Sequence, residues 1–173
     1  IESVIMRWTD MAAFTPVMRT HEGNRPVDNL QIDSTPELLR HFAAMTRVHA
    51  ALAPYVRTLC DEAEAAGLPA QRPLFLHYEA DPVARAIEDQ YLFGVDLLVA
   101  PVVAAGAGSR RLYLPGDVPW VDFWTGEARQ PGWIERPAPI GSPPVFFHPA
   151  SIFAPLFRSI AADHSIFWEQ YHD

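Results

Sequence analysis

The sequence predicts an α/β segment followed by an all-β segment. Up to about residue 80, strand-like runs alternate with helical patterns, and a strand–helix–strand order favours a parallel α/β arrangement. After residue 95, short apolar runs alternate with turns rich in Pro and Gly, which is typical of antiparallel sandwich or barrel-like modules. Because the composition changes between residues 70 and 90, we divide the chain into residues 1–80 and residues 81–173.

The first segment begins with a helical pattern and contains two strand-like runs. Over residues 2–13, apolar residues recur at helical spacing, and they are Val4, Ile5, Trp8, Met11 and Ala12. The apolar run at residues 14–18 predicts a short buried strand, and the run at residues 72–79 predicts a second one.

A long helix lies between these two runs. Ser34 and Glu37 match the S-x-x-E capping box that opens a helix, and Gly67 is a natural C-terminal stop. Pro54 lies inside the apolar stripe and predicts a kink, or a break into two helices.

The second segment carries the signals of short strands. A short helix and a turn are predicted over residues 81–94. The strand-like runs that follow are separated by turn residues and lie at residues 95–103, 110–115, 120–124 and 143–149. The tail from Ser151 predicts either a last strand with a terminal helix, or a frayed end.

Composition and charge exclude several classes of function. Hydrophobic residues make up 49% of the 173 residues, so the chain can bury a core. A net charge of −8 argues against nucleic-acid and anionic-membrane partners, since both ask for a basic surface. The single cysteine, Cys60, excludes an internal disulfide and a Cys-based zinc site. No apolar run reaches the roughly 18 residues of a membrane helix.

Residues 16–26 are the strongest candidate for a site. Arg19 and His21 follow the apolar run directly, in a loop rich in Asn, Gly and Pro. If residues 14–18 form a parallel strand, both side chains stand just past its C-terminal end, where α/β folds build their sites. Histidine can donate a hydrogen bond to a polar ligand, and arginine can hold a carboxylate by a bidentate contact. The alternative is a solvated loop whose charges pair with one another.

Two pairs of titratable residues are weaker candidates for a site. Glu37 and His41 have the i, i+4 spacing of two metal ligands, but no third ligand is near, so we expect an exposed helical pair. Asp122 and Glu127 are five residues apart, which does not establish the separation of about 5–5.5 Å that a retaining glycosidase needs. We predict no metal and no organic cofactor.

An aromatic cluster offers a different kind of site. Trp120, Phe123, Trp124 and Trp133 are close in sequence, and aromatic faces bind sugar rings. Packing in a core or an interface is the simpler interpretation. The cluster therefore supports a rival hypothesis, that of a non-catalytic carbohydrate-binding or assembly module.

Four segments resemble glycoside hydrolase family 31, the retaining α-glucosidase family. They occur in the family's order, and they are "FTPVMRTH" (14–21), "RPLFLHY" (72–78), "QYLFGVDLLVAPV" (90–102) and "RRLYLPGDVPWVDFWTGE" (110–127). A narrower likeness to the bacterial sulfoquinovosidases of that family is seen in "PVMRTHEGNRP", "RPLFLHYE" and "PIGSPPVFF". Those enzymes cleave α-glycosides of sulfoquinovose, the 6-sulfonated glucose of plant sulfolipid.

The resemblance implies a layout for a larger enzyme. Residues 1–80 would be the last part of a (β/α)8 TIM barrel, and residues 81–173 would be the antiparallel β-sandwich region with its tail. The missing N-terminal part of the barrel would be a partner of this chain. We expect a bacterial cytoplasmic protein, although the chain begins without an initiator Met and so leaves an upstream signal open. Oligomerisation is also left open.

The resemblance also implies roles for the two candidate residues. His21 matches the family histidine that hydrogen-bonds sugar hydroxyls next to the scissile bond, and Arg19 matches a neighbour that orients nearby carboxylates. The family's nucleophile and acid/base aspartates precede the matched segments, so no catalytic residue is assigned in this chain. We expect the fragment alone to be inactive. An α-glycoside, and more narrowly a sulfoquinovoside, would be the substrate, with α-glucosidase or α-xylosidase activity as the alternative.

Overall fold

The computed structural model describes residues 2–21, 24–25 and 27–169. In these residues the chain forms helices α1 (Glu2–Ala12), α2 (Pro36–Ala51), α3 (Ala53–Ala66) and α4 (Ala154–Glu169). The strands are short, and they are β1 (Gln71–Arg72), β2 (Tyr91–Phe93), β3 (Leu97–Val99), β4 (Ser109–Leu114), β5 (Trp120–Asp122), β6 (Ala128–Arg129), β7 (Gly132–Pro137) and β8 (Val145–Phe147). Single 3-10 turns occupy Leu74–Leu76 and Ala84–Ala86. No helix within these ranges is both long and apolar enough to cross a membrane.

The strands form two antiparallel sheets. Six strands are ordered β1-β2-β3-β8-β5-β6, and β4 pairs with β7 in a separate two-stranded sheet. The antiparallel β-structure predicted for residues 81–173 is therefore confirmed. The parallel α/β arrangement predicted for the first segment is not found in the described residues, because its only strand, β1, pairs antiparallel with β2.

The six-stranded sheet separates two apolar cores. Successive strand residues point to opposite faces, so Leu97 and Val99 face one core while Leu98 faces the other. The first core lies between this sheet and the helices, which contribute Met45, Val48, Leu52, Tyr55, Leu59, Phe157 and Ile160. The second core lies between the sheet and the β4–β7 pair, which contributes Leu112 and Leu114. The three-residue strands β3 and β8 are buried on both faces, and for this reason their sequences are unbroken apolar runs.

Neither strand predicted in the first segment forms as expected. At residues 14–18 the backbone continues from α1 as a turn, with Phe14 N donating to Met11 O at 3.0 Å, and no described strand lies alongside to complete a ladder. In the second run only Arg72 is in a strand, because Pro73 has no N–H for a ladder bond and a 3-10 turn follows it. Both expectations were wrong, the first because no neighbouring strand is present among the described residues and the second because Pro73 interrupts the ladder.

The helix predictions are largely confirmed. The break at Pro54 is real, since α2 ends at Ala51 and α3 begins at Ala53. Gly67 ends α3 with a φ of +70°. The capping box predicted at Ser34 and Glu37 is wrong, because the N-cap is Thr35, whose side chain accepts the hydrogen bond from Leu38 N at 3.2 Å. Leu38 has no polar side chain to complete a box.

The tail and the stretch before β2 also differ in detail from the sequence expectations. The tail forms helix α4, which packs on the first core through Phe157. The helix expected over residues 81–94 is reduced to the 3-10 turn at Ala84–Ala86, and its last residues enter β2. Residues before and after residue 80 share the first core, and the division at that residue stays a prediction about domain limits.

A buried polar network joins α1, α2, α4 and the loop before β8. The carboxylate of Asp10 accepts a hydrogen bond from Gly141 N at 3.1 Å and lies 3.1 Å from His41 Nε2. His164 Nε2 lies 2.7 Å from Gly141 O. Asp10, His41 and His164 are each less than 10% exposed. Because buried polar groups need partners, this network fixes how the helices meet the loop.

A substitution at Gly94 tests how tightly α3 packs on the sheet. Gly94 has a φ of +67°, and a Cβ there would meet Tyr55 Oη and lie 2.5 Å from Leu59 Cδ2. Gly106 has a similar φ of +72° with nothing within 4 Å, so it is a matched control. We expect Gly94→Ala to lower the free energy of unfolding by about 1–3 kcal/mol more than Gly106→Ala does, through overpacking. Urea unfolding of both variants measures this, and equal losses would contradict the packing described here.

The burial of His164 predicts a pH-dependent contribution to the stability of the fold. Burial lowers the pKa of His164 from its ordinary value of 6.5, while the Gly141 carbonyl and Asp10 oppose the shift and His41 adds to it. A lowered pKa means that protonation favours the unfolded chain, so stability is present above pH 6.5 and is lost as the pH falls towards the lowered value.

We therefore expect the wild-type chain to lose more free energy of unfolding between pH 7 and pH 5 than a His164→Gln variant. Urea titrations at both pH values make the comparison. The pKa of His77 is also lowered by burial. Because His77 is present in both proteins, its contribution to the pH dependence cancels in the comparison. An equal pH dependence in the two proteins would show that His164 is not the group responsible.

Candidate functional site

The residues predicted from the sequence, Arg19 and His21, lie on one open cavity. Its volume is about 710 Å³, and it is bounded by α1, by the segment that follows it and by the loop before α2. Both side chains are exposed, as a ligand-binding pair must be before the ligand arrives. The structure thus brings the two candidates together, although the segment that carries them is irregular and is not a strand.

Other polar and aromatic groups share this cavity. Trp8 contributes from α1, Gln31 from the loop before α2, and Gln71 from β1. Amide side chains can donate to and accept from sugar hydroxyls, and an indole face can lie against a sugar ring. Sequence reasoning missed all three residues, because they are far apart in the chain and no spacing links them. Only the turn-rich character of residues 19–34 could have indicated Gln31.

The described lining of the cavity contains no Asp or Glu. Arg19 forms no ion pair with any described residue, although an exposed guanidinium beside a cleft is suited to holding a carboxylate. Glu22, the acidic residue nearest to Arg19 in sequence, lies outside the described residues. The cavity as described can bind and orient a polar ligand, but its described lining offers no carboxylate for glycoside hydrolysis.

His41 does not form the exposed pair with Glu37 that the sequence predicts. It is 1% exposed, and its Nε2 lies 3.1 Å from Asp10 Oδ1 and 3.0 Å from Met6 O. The expectation failed because α1 packs on this face of α2 and supplies both partners. Among the residues that the structure describes, no group of three His, Cys, Asp or Glu side chains is placed to hold a metal ion.

Asp122 has a structural role. It is 1% exposed, Arg136 Nε donates to its Oδ2 at 2.6 Å, and its Oδ1 accepts from the backbone N–H of Trp124 at 3.0 Å. A carboxylate held in this way closes the turn after β5 and joins it to β7. Glu127 is exposed and pairs with Arg129 at 2.5 Å, so the two carboxylates do not share a site.

The aromatic cluster is divided by the fold. Trp120 and Phe123 are buried in different cores, and Trp124 is half-buried, with its Nε1 donating to Pro143 O at 2.7 Å. Trp133 is 48% exposed, and the guanidinium of Arg111 lies 4.5 Å from its ring centre. Core packing therefore accounts for most of the cluster, and one tryptophan remains at the surface.

Known proteins similar to this chain point to one family. The family model for the glycosyl hydrolase family 31 C-terminal domain matches residues 67–153. The chain is 55% identical over 158 residues to the sulfoquinovosidase of Agrobacterium fabrum, covering 91% of this chain and 24% of that protein. It is 50% identical over 159 residues to the sulfoquinovosidase of Escherichia coli, covering 92% of this chain and 23% of that protein. The chain thus spans about a quarter of the length of these curated relatives.

A solved structure agrees with these sequence relationships. A family 31 sulfoquinovosidase from E. rectale, in complex with the aza-sugar inhibitor IFGSQ, superposes with a TM-score of 0.91 at 42% sequence identity. The match covers 94% of this chain and 24% of that one. The family model matches about half of the chain, and the sequence and structure matches cover more than nine tenths of it. On these grounds the chain belongs to glycosyl hydrolase family 31.

Proposed function

We propose that this chain is the C-terminal part of a retaining α-glycoside hydrolase that cleaves α-sulfoquinovosides. The observation that carries the proposal is the pair of exposed side chains, His21 and Arg19, on the wall of one open cavity. The curated relatives that are 50% and 55% identical to this chain are sulfoquinovosidases. Activity on α-glucosides or α-xylosides, as in other members of the family, is the alternative.

The proposed enzyme divides its chemistry between two parts of the polypeptide. An aspartate outside this chain attacks the anomeric carbon, and a second protonates the leaving oxygen and later activates water. His21 donates a hydrogen bond to a sugar hydroxyl, and this bond strengthens as charge develops on the ring. Arg19 is a positioning residue, which orients a carboxylate by a bidentate contact.

The same proposal covers the larger layout. Residues 1–80 complete a (β/α)8 barrel, residues 81–173 form the β-region behind it, and the enzyme works in a bacterial cytoplasm. The similarity of this chain to family 31 enzymes over more than nine tenths of its length supports this layout. No metal or organic cofactor takes part in this mechanism.

The 173-residue chain alone is expected not to hydrolyse a nitrophenyl α-sulfoquinovoside. The physical reason is that no carboxylate lines the described part of the cavity. Release of nitrophenol is measured against a buffer blank, with the Agrobacterium fabrum sulfoquinovosidase as the positive control. Sustained hydrolysis by the chain alone would contradict the proposal that its catalytic aspartates lie elsewhere.

A chimera tests the role of His21 in an intact enzyme. This chain replaces the matching C-terminal quarter of the Agrobacterium fabrum sulfoquinovosidase, to which it is 55% identical. We expect the chimera to hydrolyse the sulfoquinovoside in preference to the glucoside. His21→Ala should lower kcat/KM by about 100-fold or more, since a donor that acts in the transition state is removed.

Val27→Ala is the matched control for that experiment. Val27 lies in the same loop, is 95% exposed and does not line the cavity, so its truncation should leave kcat/KM unchanged. If His21→Ala and Val27→Ala gave the same kinetics, the role of His21 would be refuted. A chimera that prefers the glucoside would contradict the proposal that this chain supports hydrolysis of sulfoquinovosides.

The rival hypothesis of a non-catalytic carbohydrate-binding module now depends on one residue. Trp124 donates its indole N–H to a backbone carbonyl and packs against the first core, so it does not present a free sugar-binding face. Trp133 is the remaining candidate. Calorimetry with sulfoquinovosides distinguishes the two hypotheses, because binding lost in Trp133→Ala but kept in His21→Ala would favour the module.

A further inference from the structure

Residues 30–32 form part of the wall of the candidate cavity of about 710 Å³. These three residues are half-buried, whereas the residues directly before and after them are exposed. Leu30 and Ile32 are apolar, so Gln31 is the polar side chain of this part of the wall. A polar group that is shielded from part of the solvent by apolar neighbours needs a hydrogen-bonding partner.

Ser34 fixes the backbone of Gln31. Gln31 N donates to Ser34 Oγ at 2.7 Å, and Ser34 N donates to Gln31 O at 3.1 Å. This reciprocal pair closes a short turn directly before Thr35, the N-cap of α2. Ser34 does not cap the helix, but it ties Gln31 to the start of the helix. A residue held next to a regular element presents its side chain more precisely than a residue on a free loop.

A second bond orients the side-chain amide of Gln31. Its Nε2 donates to the backbone carbonyl of Asn29 at 3.2 Å, so the nitrogen end of the amide is held by the loop. Within the described part of the chain, Oε1 of Gln31 accepts no hydrogen bond. An amide oxygen is a good acceptor with two lone pairs. The amide is therefore oriented by the loop and still has an oxygen available for a donor on a ligand.

The chemistry of the cavity favours a hydroxyl as that donor. Arg19 and His21 offer N–H donors, and the described lining contains no carboxylate to accept a hydrogen bond. A sugar hydroxyl accepts one hydrogen bond and also has a hydrogen to donate, so it needs an acceptor as well as a donor. Gln71, the other amide of the lining, hydrogen-bonds the Tyr91 hydroxyl, whereas the amide of Gln31 bonds no other described side chain.

We propose that Gln31 is a specificity-determining residue, which accepts a hydrogen bond from one ring hydroxyl of the sugar through Oε1, and that Ser34 positions it. The inference rests on the proposed function and adds a residue to Arg19 and His21. A site built to hydrogen-bond a substrate hydroxyl rejects an analogue without that hydroxyl, because the acceptor is then left unpaired. Gln31 thus selects a sugar that carries this hydroxyl over one that lacks it.

Monodeoxy substrates test Gln31 in the chimera described above. Gln31→Met keeps the length of the side chain and removes the acceptor, so kcat/KM for the parent nitrophenyl α-sulfoquinovoside should fall by about tenfold. Analogues that lack the hydroxyl at C2, C3 or C4 are then compared. With Gln31 in place, one of them should show a similar loss, and Gln31→Met should cause no further loss with that analogue. Such non-additivity identifies a direct contact.

Variants of the turn test whether Ser34 positions Gln31. Ser34→Ala removes the acceptor for Gln31 N and should lower kcat/KM for the parent substrate by about threefold, but not for the deoxy analogue that Gln31 no longer distinguishes. Ser34→Thr keeps a hydroxyl and should restore the parent rate. A general loss of structure would lower both rates alike. Asn29→Ala is the matched control, because Asn29 is exposed, does not line the cavity and keeps its backbone carbonyl.

The outcomes separate this inference from the proposed function. If Gln31→Met behaves like Asn29→Ala, or lowers kcat/KM equally for all the analogues, the inference is overturned, and a chimera that depends on His21 still supports the proposed function. In a chimera that does not hydrolyse the substrate, calorimetry with the same compounds measures the same comparison as ratios of Kd. Non-additive Kd values there would support Gln31 and contradict the proposed function. A chimera that binds none of the compounds would overturn both.

Discussion

The buried carboxylate of Asp10 is the constraint on which the arrangement of this chain depends. A buried ion must be paired, and Asp10 finds its partners on α2 and on the loop before β8. Those partners set the rotation of α1 about its own axis. Gly141 carries the network onward to His164 on α4, so one short polar chain connects the first helix to the last.

This rotation of α1 explains why large apolar side chains of the helix are exposed to solvent. With Asp10 turned inward, Trp8 must face outward, because the two residues lie on opposite sides of the same helix. The polar contacts thus specify the position of an apolar surface. The wall of the cavity that contains Arg19 and His21 is part of the same surface, so the stability of the fold and the geometry of this cavity depend on one set of hydrogen bonds.

The β-region supports the fold, and we identify no chemical role for its described side chains. Its six-stranded sheet separates two cores, and its buried carboxylate, Asp122, is committed to Arg136 and to a turn. The candidate chemistry lies at the other end, where Arg19 and His21 stand on a loop held by α1 and α2. These two side chains can bind and orient a sugar, whereas glycoside hydrolysis needs a pair of carboxylates. In the proposed enzyme, this chain therefore helps to bind the substrate, and carboxylates outside the chain cleave it.

The sequence alone determined whatever depends on local chemistry. The break at Pro54, the stop at Gly67 and the short antiparallel strands follow from backbone preferences that act within a few residues. Arg19 and His21 could be chosen as a candidate pair for a similar reason, because both lie in one short segment whose residues resemble a known family.

Only the tertiary structure decided which of these residues contact one another. The sequence pattern places His41 at the surface because its partner, Asp10, lies 31 positions earlier in the chain. It predicts a strand at residues 14–18 because apolar character does not reveal whether a neighbouring strand exists. The outward turn of Trp8 likewise follows from hydrogen bonds between distant elements. Contacts of this kind join residues that are far apart in the chain and have no characteristic spacing. The sequence therefore shows which residues are present but not which of them pair.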